Sequence, residues 1–293
     1  MKEKNVIVQI GSGLGNQMFQ YALAEKLSSL GKNVKLDVYT DYKKNVIRNY
    51  SLNIFKNIDM EWADEGICDK YFKRVAKIKN GRWYYSRIGK LFDVCRKIYI
   101  DREIEFNPKV ISGNYSYLCG YWQTEKYFYD IRDVLLKKFQ FPEINDTKNN
   151  MYISQIQNSN SVSLHVRRGD YVNEKNYATF GSICTLDYYE KAIAYFEDKY
   201  NDVTFFVFSN DLEWAKKNLQ MKKVVFVEGN NEDNGYKDMY LMTQCKHNIV
   251  ANSSFSWWGA WLNQNEEKQV IAPDKWINNE KLQDIWCDNW KRF

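Results

Sequence analysis

The 293-residue sequence contains only two histidines, no D-x-D triplet and no C-x-x-C pair. Without a D-x-D carboxylate pair, a donor site bridged by manganese is disfavoured. Two isolated histidines without a cysteine cluster argue equally against a structural or catalytic metal centre. The six cysteines, Cys68, Cys95, Cys119, Cys184, Cys245 and Cys287, are widely scattered and read as reduced structural thiols. Long apolar runs are missing as well: the best one, Val203–Phe208, has the length of a strand, far below the roughly 18 residues of a spanning helix. The opening MKEKNVIVQIGSG passes from a short charged lead into a strand-like run, with no room for an apolar signal segment. A cytoplasmic protein is expected, soluble or peripheral at a membrane. Repeats and low-complexity tracts are absent.

What is present fits two α/β domains. Apolar residues make up 44% of the chain and aromatics 16%, enough to fill two cores, and the length exceeds what one core usually organises. The charge balance, 42 − 37 = +5, leans toward phosphorylated ligands or an anionic surface. Strand Val6–Ile10, helix Asn16–Leu30 ended by Gly31, and strand Val34–Val38 form one βαβ unit, and a further helix is predicted over Glu125–Phe139 before Pro142. Polar residues between Asn145 and Asn160 place a domain boundary near residue 150, dividing 1–150 from 151–293. Beyond it the pattern predicts strands Val162–Val166, Val203–Phe208, Val224–Val227, Asn248–Ala251 and Gln269–Ala272. The intervening helices are Leu186–Tyr200, Leu212–Leu219, Tyr236–Cys245 and Phe255–Asn263. The expected architecture is α/β, two Rossmann-like domains facing a central cleft.

Four segments carry chemistry. Gly11–Gln17, G-S-G-L-G-N-Q, joins a strand to a helix and with Asp37 suggests a dinucleotide site, though its third glycine falls one residue early for G-x-G-x-x-G. A plain tight turn explains it as well. In Ser163–Tyr171, S-L-H-V-R-R-G-D-Y, alternation puts His165 and Arg167 on one strand face, with Arg168 and Asp170 in the turn beyond. A guanidinium there can grip phosphate and stabilise a departing diphosphate; the alternative is an Arg–Asp pair pinning the loop. Phe208–Asp211, F-S-N-D, offers a carboxylate, Asp211, to a guanine edge, or a helix N-cap through Asn210 or Asp211. In Ala251–Trp261, Asn252, Ser253 and Ser254 supply short donors at a helix start suited to phosphate, while Trp257, Trp258 and Trp261 read as buried structure.

Together these segments resemble the bacterial and animal alpha-1,2-fucosyltransferases of glycosyltransferase family eleven. The likeness extends over G-L-G-N-Q-M-F-Q-Y-A, G-Y-W-Q-T-E-K-Y-F at Gly120–Phe128, H-V-R-R-G-D-Y, L-D-Y-Y-E-K-A-I at Leu186–Ile193, F-S-N-D and N-S-S-F-S-W-W-G-A-W. The resemblance implies a GT-B architecture, with residues 1–150 on the acceptor side and 151–293 binding GDP-fucose. It implies inverting transfer of L-fucose from GDP-beta-L-fucose to the 2-hydroxyl of a galactose-terminated glycan, forming an alpha-1,2 linkage without cofactor or metal. By the same resemblance Arg167 would hold the diphosphate, His165 and Asp211 would lie near the guanosine, and Ser253, Ser254 and Phe255 would line the phosphate region. Asn16 and Gln17 would reach the cleft from the other domain. Asp170 is the first candidate for the catalytic base and Glu174 the second, near the offset of a glutamate in the more distant alpha-1,6-fucosyltransferases; a dissociative route with the departing phosphate taking the proton is the alternative.

Between Lys70 and Lys97 ten basic residues face one acidic residue, Asp93, interleaved with aromatics. This run suggests contact with anionic lipid at the inner face of a membrane, where a lipid-linked glycan could be reached. A nicotinamide-dependent oxidoreductase would leave the arginine-rich strand end unexplained. A nucleic-acid-binding protein is disfavoured by the small net charge.

Overall fold

The computed structural model describes residues 5–42, 49–81, 97–102, 104–171, 173–230, 234–278 and 282–293. The chain divides into two compact units, Met1–Gln140 and Phe141–Phe293. Cys95 and residues 82–96 of the basic run lie outside the described residues. No described helix is long and apolar enough to cross a membrane.

In the first unit the run Asn5–Gln9 forms β1, and the turn after it leads into α1 (Leu14–Ser29). Helix α1 is buried around most of its circumference, as expected of a helix without a clear polar face. It ends ahead of Gly31, whose φ of 79° suits the left-handed position after a helix. There follow β2 (Asn33–Asp37), a short turn at Leu52–Ile54, α2 (Glu65–Lys79), β3 (Ile98–Ile100), α3 (Pro108–Ser112), β4 (Tyr117–Cys119) and α4 (Arg132–Lys138). The strands pair in parallel in the order β2-β1-β4-β3. The single helix expected over Glu125–Phe139 is broken into 3₁₀ turns at Glu125–Tyr127 and Tyr129–Ile131 before α4 begins. Thr124 caps the first turn through Lys126 N–H, and consecutive Tyr127 and Phe128 are both driven into the core, which one regular helix face does not allow.

The second unit contains α5 (Thr147–Gln157), β5 (Ser161–Val166), α6 (Glu174–Phe180), α7 (Leu186–Lys199), β6 (Thr204–Ser209), α8 (Leu212–Asn218), β7 (Val224–Phe226), α9 (Gly235–Gln244), β8 (His247–Ile249), α10 (Ser254–Leu262), β9 (Val270–Ala272) and β10 (Lys291–Arg292). Its parallel order is β10-β9-β8-β5-β6-β7. All five strands expected here form. The division between units falls after Gln140, ahead of the polar stretch used to place it, because that stretch folds as α5, capped by Asp146 accepting from Asn149 N–H at 2.8 Å.

Strand β5 is buried at all six positions, and its two faces differ chemically. Val162, Leu164 and Val166 pack with Tyr189, Ile193 and Phe196 of α7 and with Phe205 and Val207. The opposite face carries Ser161, Ser163 and His165. Ser161 Oγ accepts from Lys246 N–H at 3.1 Å, and Ser163 Oγ accepts from Asn248 Nδ2 at 2.7 Å. Asn248 is in turn fixed by Asn263, whose Nδ2 donates to Asn248 Oδ1 at 2.8 Å and to Cys245 O at 2.7 Å. These polar groups are therefore matched inside the core, as burial demands. The described cysteines, Cys68, Cys119, Cys184, Cys245 and Cys287, are free thiols. Trp257, Trp258 and Trp261 are buried, with Trp257 Nε1 donating to Ile285 O at 2.7 Å, in keeping with a structural role.

His247 is the structural histidine of the pair. Its ring stacks on Phe196 and Tyr200, and Nδ1 accepts from Gln269 N–H at 3.1 Å. Burial, helped by Lys199 and Lys246, pushes its pKa down to about 4. An unfolded histidine takes its proton near pH 6.5, so between about 6.5 and 4 the unfolded chain binds more protons and His247 destabilises the fold as pH falls. Relative to His247→Asn, the wild type should lose up to about 1.4 kcal/mol per pH unit in that window and run parallel to the variant above it. Urea unfolding at several pH values reads this directly; parallel curves throughout would disprove it.

Candidate functional site

Open parallel sheets bind ligands beyond the carboxyl ends of strands where the strand order reverses. In the second unit the chain leaves β5 to add β6 and β7 on one side, then returns to place β8 and β9 on the other. The reversal therefore lies between β5 and β8. The H-V-R-R turn leaves the carboxyl end of β5, and Ala251–Ser254 leaves that of β8.

Helix α10 opens this crevice. Ser253 stands at its N-cap without a side-chain capping bond, while Ser256 Oγ accepts from Ala251 N–H at 3.2 Å and steadies the entry. The first-turn N–H groups at Ser254, Phe255 and Ser256 thus form a helix start of the kind that receives anions. Ser253 is buried, and Ser254 and Phe255 are half-buried. Asn252 has a bracing role: its Nδ2 reaches Phe180 O at 3.3 Å and Trp276 O at 3.2 Å, and its Oδ1 accepts from Cys184 Sγ at 3.4 Å.

On the β5 side, the two consecutive arginines are sorted onto different neighbours. Arg168 turns toward β6, where its backbone N–H donates to Asn210 Oδ1 at 3.0 Å, its Nε donates to Asp211 Oδ2 at 3.3 Å, and its guanidinium lies 4.3 Å from the centre of the Trp214 ring. Gly169 permits this approach, since a Cβ there would meet Asn210 Nδ2 at 2.1 Å. Arg167 lies over the Tyr171 ring at 5.5 Å, and Tyr171 OH donates to Asn252 O at 3.2 Å, tying the Arg167 turn to the loop after β8. The Arg–Asp pair that pins the loop therefore exists, and Arg168 makes it.

His165 ends the polar face of β5. Unlike Ser161 and Ser163, it is not matched: Nδ1 is buried without a hydrogen-bond partner among the described residues. Its ring lies 5.8 Å from that of Phe255, and Tyr189 OH donates to its carbonyl at 3.1 Å. Burial, then the charge of Arg167, pushes its pKa down to about 3. The imidazole is neutral at ordinary pH, and the positive charge at this strand end belongs to the guanidinium.

Asp211 is the N-cap of α8, accepting from Trp214 N–H at 3.1 Å, as well as the acceptor for Arg168. Glu174 is exposed in the first turn of α6. Asp170 lies in the 3₁₀ turn Gly169–Tyr171; its side chain is outside the described ones. Among the described residues, no group of three His, Cys, Asp or Glu is placed to hold a metal ion.

In the first unit the reversal falls between β1 and β4. Asn16 sits beside it: its Nδ2 donates to Ser12 Oγ at 3.1 Å and its Oδ1 accepts from Gln123 Nε2 at 2.7 Å. Gln17 is fully buried. Its Nε2 donates to Ser12 O at 2.9 Å and Asn49 O at 3.0 Å, and its Oε1 accepts from Ser51 N–H at 2.8 Å. Asp41 accepts from Ser12 N–H at 2.8 Å and occupies the space a Cβ on Gly11 would need. Asp37, the ribose partner a dinucleotide site would need, is buried. It accepts from Tyr39 N–H, Thr40 N–H, Thr40 Oγ1 and Tyr117 OH, the last at 2.6 Å. It is the internal anchor of the sheet, which removes the support for a nicotinamide site.

Sequence reasoning passed over Tyr171, Trp214 and Gln123, and offered Asn210 only as a helix cap, a place that Asp211 takes. Tyr171 closed the H-V-R-R-G-D-Y motif and Gln123 lay within G-Y-W-Q-T-E-K-Y-F, so both were signalled by position; Trp214 and Asn210 are visible as partners only in three dimensions.

Residues 93–293 match the family model described as Glycosyl transferase family 11. The chain is 34% identical to the O-antigen biosynthesis glycosyltransferase WbnK of Escherichia coli, covering 96% of this chain and 98% of that one. It is 35% identical to an alpha-1,2-colitosyltransferase of Escherichia coli, covering 98% of each. It is 31% identical to galactoside alpha-(1,2)-fucosyltransferase 2 of Bos taurus over 52% of this chain and 46% of that one. Among solved structures, the apo-form of POFUT1 matches with a TM-score of 0.51 at 12% identity, covering 94% of this chain and 99% of that one; at that identity the likeness bears on the fold alone.

Removing the Asp211 cap should be visible in stability. Asp211→Ala is expected to lose about 1 kcal/mol, whereas Asp211→Asn, which still offers an oxygen to Trp214 N–H, should lose a small part of that. Equal losses in urea unfolding would mean that the cap is not what the carboxylate contributes.

Proposed function

The chain belongs to glycosyl transferase family 11, and we propose that within it this enzyme moves L-fucose from GDP-beta-L-fucose to the 2-hydroxyl of a galactose-terminated glycan, with inversion and without a metal. The observation that carries the donor side is the strand-order reversal between β5 and β8, where the Arg167 turn is tied through Tyr171 to the loop that opens α10.

As the bond from sugar to phosphate breaks, negative charge builds on the departing diphosphate. In this reading Arg167 and the first-turn N–H groups of α10 hold it, a guanidinium and a helix start doing together what a divalent cation does elsewhere. Ser253 and Ser254 add hydroxyl donors. His165, neutral and beside Phe255, offers an uncharged nitrogen on the nucleoside side, with Asp211 next to it in role though already engaged by Trp214 N–H and Arg168. The acceptor hydroxyl attacks from the face opposite the diphosphate, which turns a beta donor into an alpha linkage. Its proton passes to Asp170 or Glu174, or, on a dissociative path, to the phosphate itself. Asn16, Gln17 and the rest of 1–150 belong to the acceptor side, with Asn16 presenting the amide and Gln17 holding the turn.

A second donor has its own support. The colitosyltransferase matches along nearly the whole chain at 35% identity, and colitose is fucose without its 3-hydroxyl. Release of GDP in the presence of EDTA, measured with GDP-fucose and with GDP-colitose across lactose, N-acetyllactosamine and lacto-N-biose, separates the two. Acceptor-dependent release from GDP-fucose supports the first reading. Release confined to GDP-colitose would replace it, and loss of activity with EDTA that returns on adding manganese would overturn metal independence.

With the working donor, Arg167→Ala should lower turnover about 10²–10³-fold, on the scale of losing one oxyanion donor. Turnover retained by a folded variant would remove Arg167 from the leaving-group role. Of Asp170→Asn and Glu174→Gln, the one that abolishes transfer while GDP still binds identifies the base; near-normal rates in both favour the dissociative path.

A further inference from the structure

Several surface cations of this protein sit against carboxylates: Lys35 on Glu61, Lys138 on Asp59, Lys216 on Glu228 and Lys223 on Asp202. Helix α2 is arranged differently. Lys70, Lys73, Arg74 and Lys77 are all exposed, and none of the four forms an ion pair among the described residues. Their spacing of three and four places them on one face, in a stripe of about 100° and about 10 Å long. The opposite side of the helix carries Cys68, Val75 and Ile78 into the core. Arg74 lies over the Tyr71 ring at 5.7 Å, and Tyr71 is stacked on Tyr117 at 4.9 Å, so the stripe is mounted on the sheet through stacked rings. At its edge Ile67 is 44% exposed, and Trp62, just before the helix, is 52% exposed.

Four like charges held on one helix face repel each other by a few tenths of a kcal/mol per pair in an isolated helix, and among the described residues no carboxylate pairs with any of them. We propose that this face of α2 docks on an anionic bilayer, with the cations over the lipid headgroups and Ile67 and Trp62 entering the interface. A bilayer is favoured over a nucleic acid because an exposed isoleucine lies on the same helix beside the stripe and an exposed indole precedes that helix, the combination that suits the boundary between headgroups and acyl chains. Docking is independent of which sugar is transferred, so the failure of this inference and that of the donor reading are separately visible.

Flotation of the full chain with vesicles tests it. The wild type should float with phosphatidylcholine vesicles containing about a quarter phosphatidylglycerol, stay behind with pure phosphatidylcholine, and be released at about 1 M salt, where the Debye length shrinks to about 3 Å. Replacing Lys70, Lys73, Arg74 and Lys77 together by glutamine, a comparable helix former, should lower the partition coefficient by several hundredfold, at about fivefold per charge. Circular dichroism and GDP release with a soluble acceptor check that the variant is folded and working. Should it fail to fold, the pairs Lys70→Gln with Lys73→Gln and Arg74→Gln with Lys77→Gln should each cost roughly twentyfold. Equal flotation of variant and wild type would overturn the proposal, as would indifference of the wild type to lipid charge. Displacement from vesicles by an oligonucleotide at low concentration would replace the bilayer with nucleic acid, and displacement by inorganic phosphate alone would reduce the stripe to a simple anion site.

Discussion

The parallel pairing of β5 with β8 is the contact on which the second unit depends. It sets Val162, Ser163 and Leu164 against His247, Asn248 and Ile249 and forces the connections from the two strands to leave in opposite directions. A gap beyond the strand ends follows from topology rather than from any special side chain. The polar ladder inside the sheet, Ser163 to Asn248 to Asn263, fixes that pairing in register. A slip by one residue would bury its hydrogen-bonding groups without partners, at a cost of about 1–3 kcal/mol each.

The same register explains why adjacent arginines do different work. Arg168 is held on the β6 side by a carboxylate, an amide and an indole. Arg167 stays on the β8 side, over Tyr171. One cation pins the turn to β6, and the neighbouring one lies over the ring that ties the turn to the loop after β8. His165, pushed to its neutral form by burial and by Arg167, leaves the local field to the guanidinium.

Most of the second unit was legible in the sequence because its strands are short apolar runs and its helices carry an amphipathic period. The five expected strands formed, and β10, two residues long, was too short to leave a pattern. The first unit was harder to read. Its β3 and β4 have three residues each, α2 hides a basic face within a basic run, and the stretch after Thr124 obeys core packing of Tyr127 and Phe128 rather than helical periodicity. At the site, residue types and strand-end positions were readable, but partners were not. Sequence distinguishes neither Arg167 from Arg168 nor Asn16, held by Ser12 and Gln123, from Gln17, held by Ser12, Asn49 and Ser51, because those differences are made by partners such as Trp214, Tyr171, Gln123 and Asn49, which arrive from elsewhere in the chain.

The Gln17 amide and the Ser12 backbone gather two separate stretches of the first unit onto one turn. On one flank of the connection that follows β2, Asp41 is held by Ser12 N–H; on the other, Asn49 and Ser51 are held by the Gln17 amide. Both fixed points are held by the same strand-to-helix turn, through Ser12 and Gln17. A change at Ser12 or Gln17 is therefore felt on both sides of that connection, at Asp41 and at Asn49 and Ser51, so one turn carries the tie between the centre of the sheet and its β2 edge.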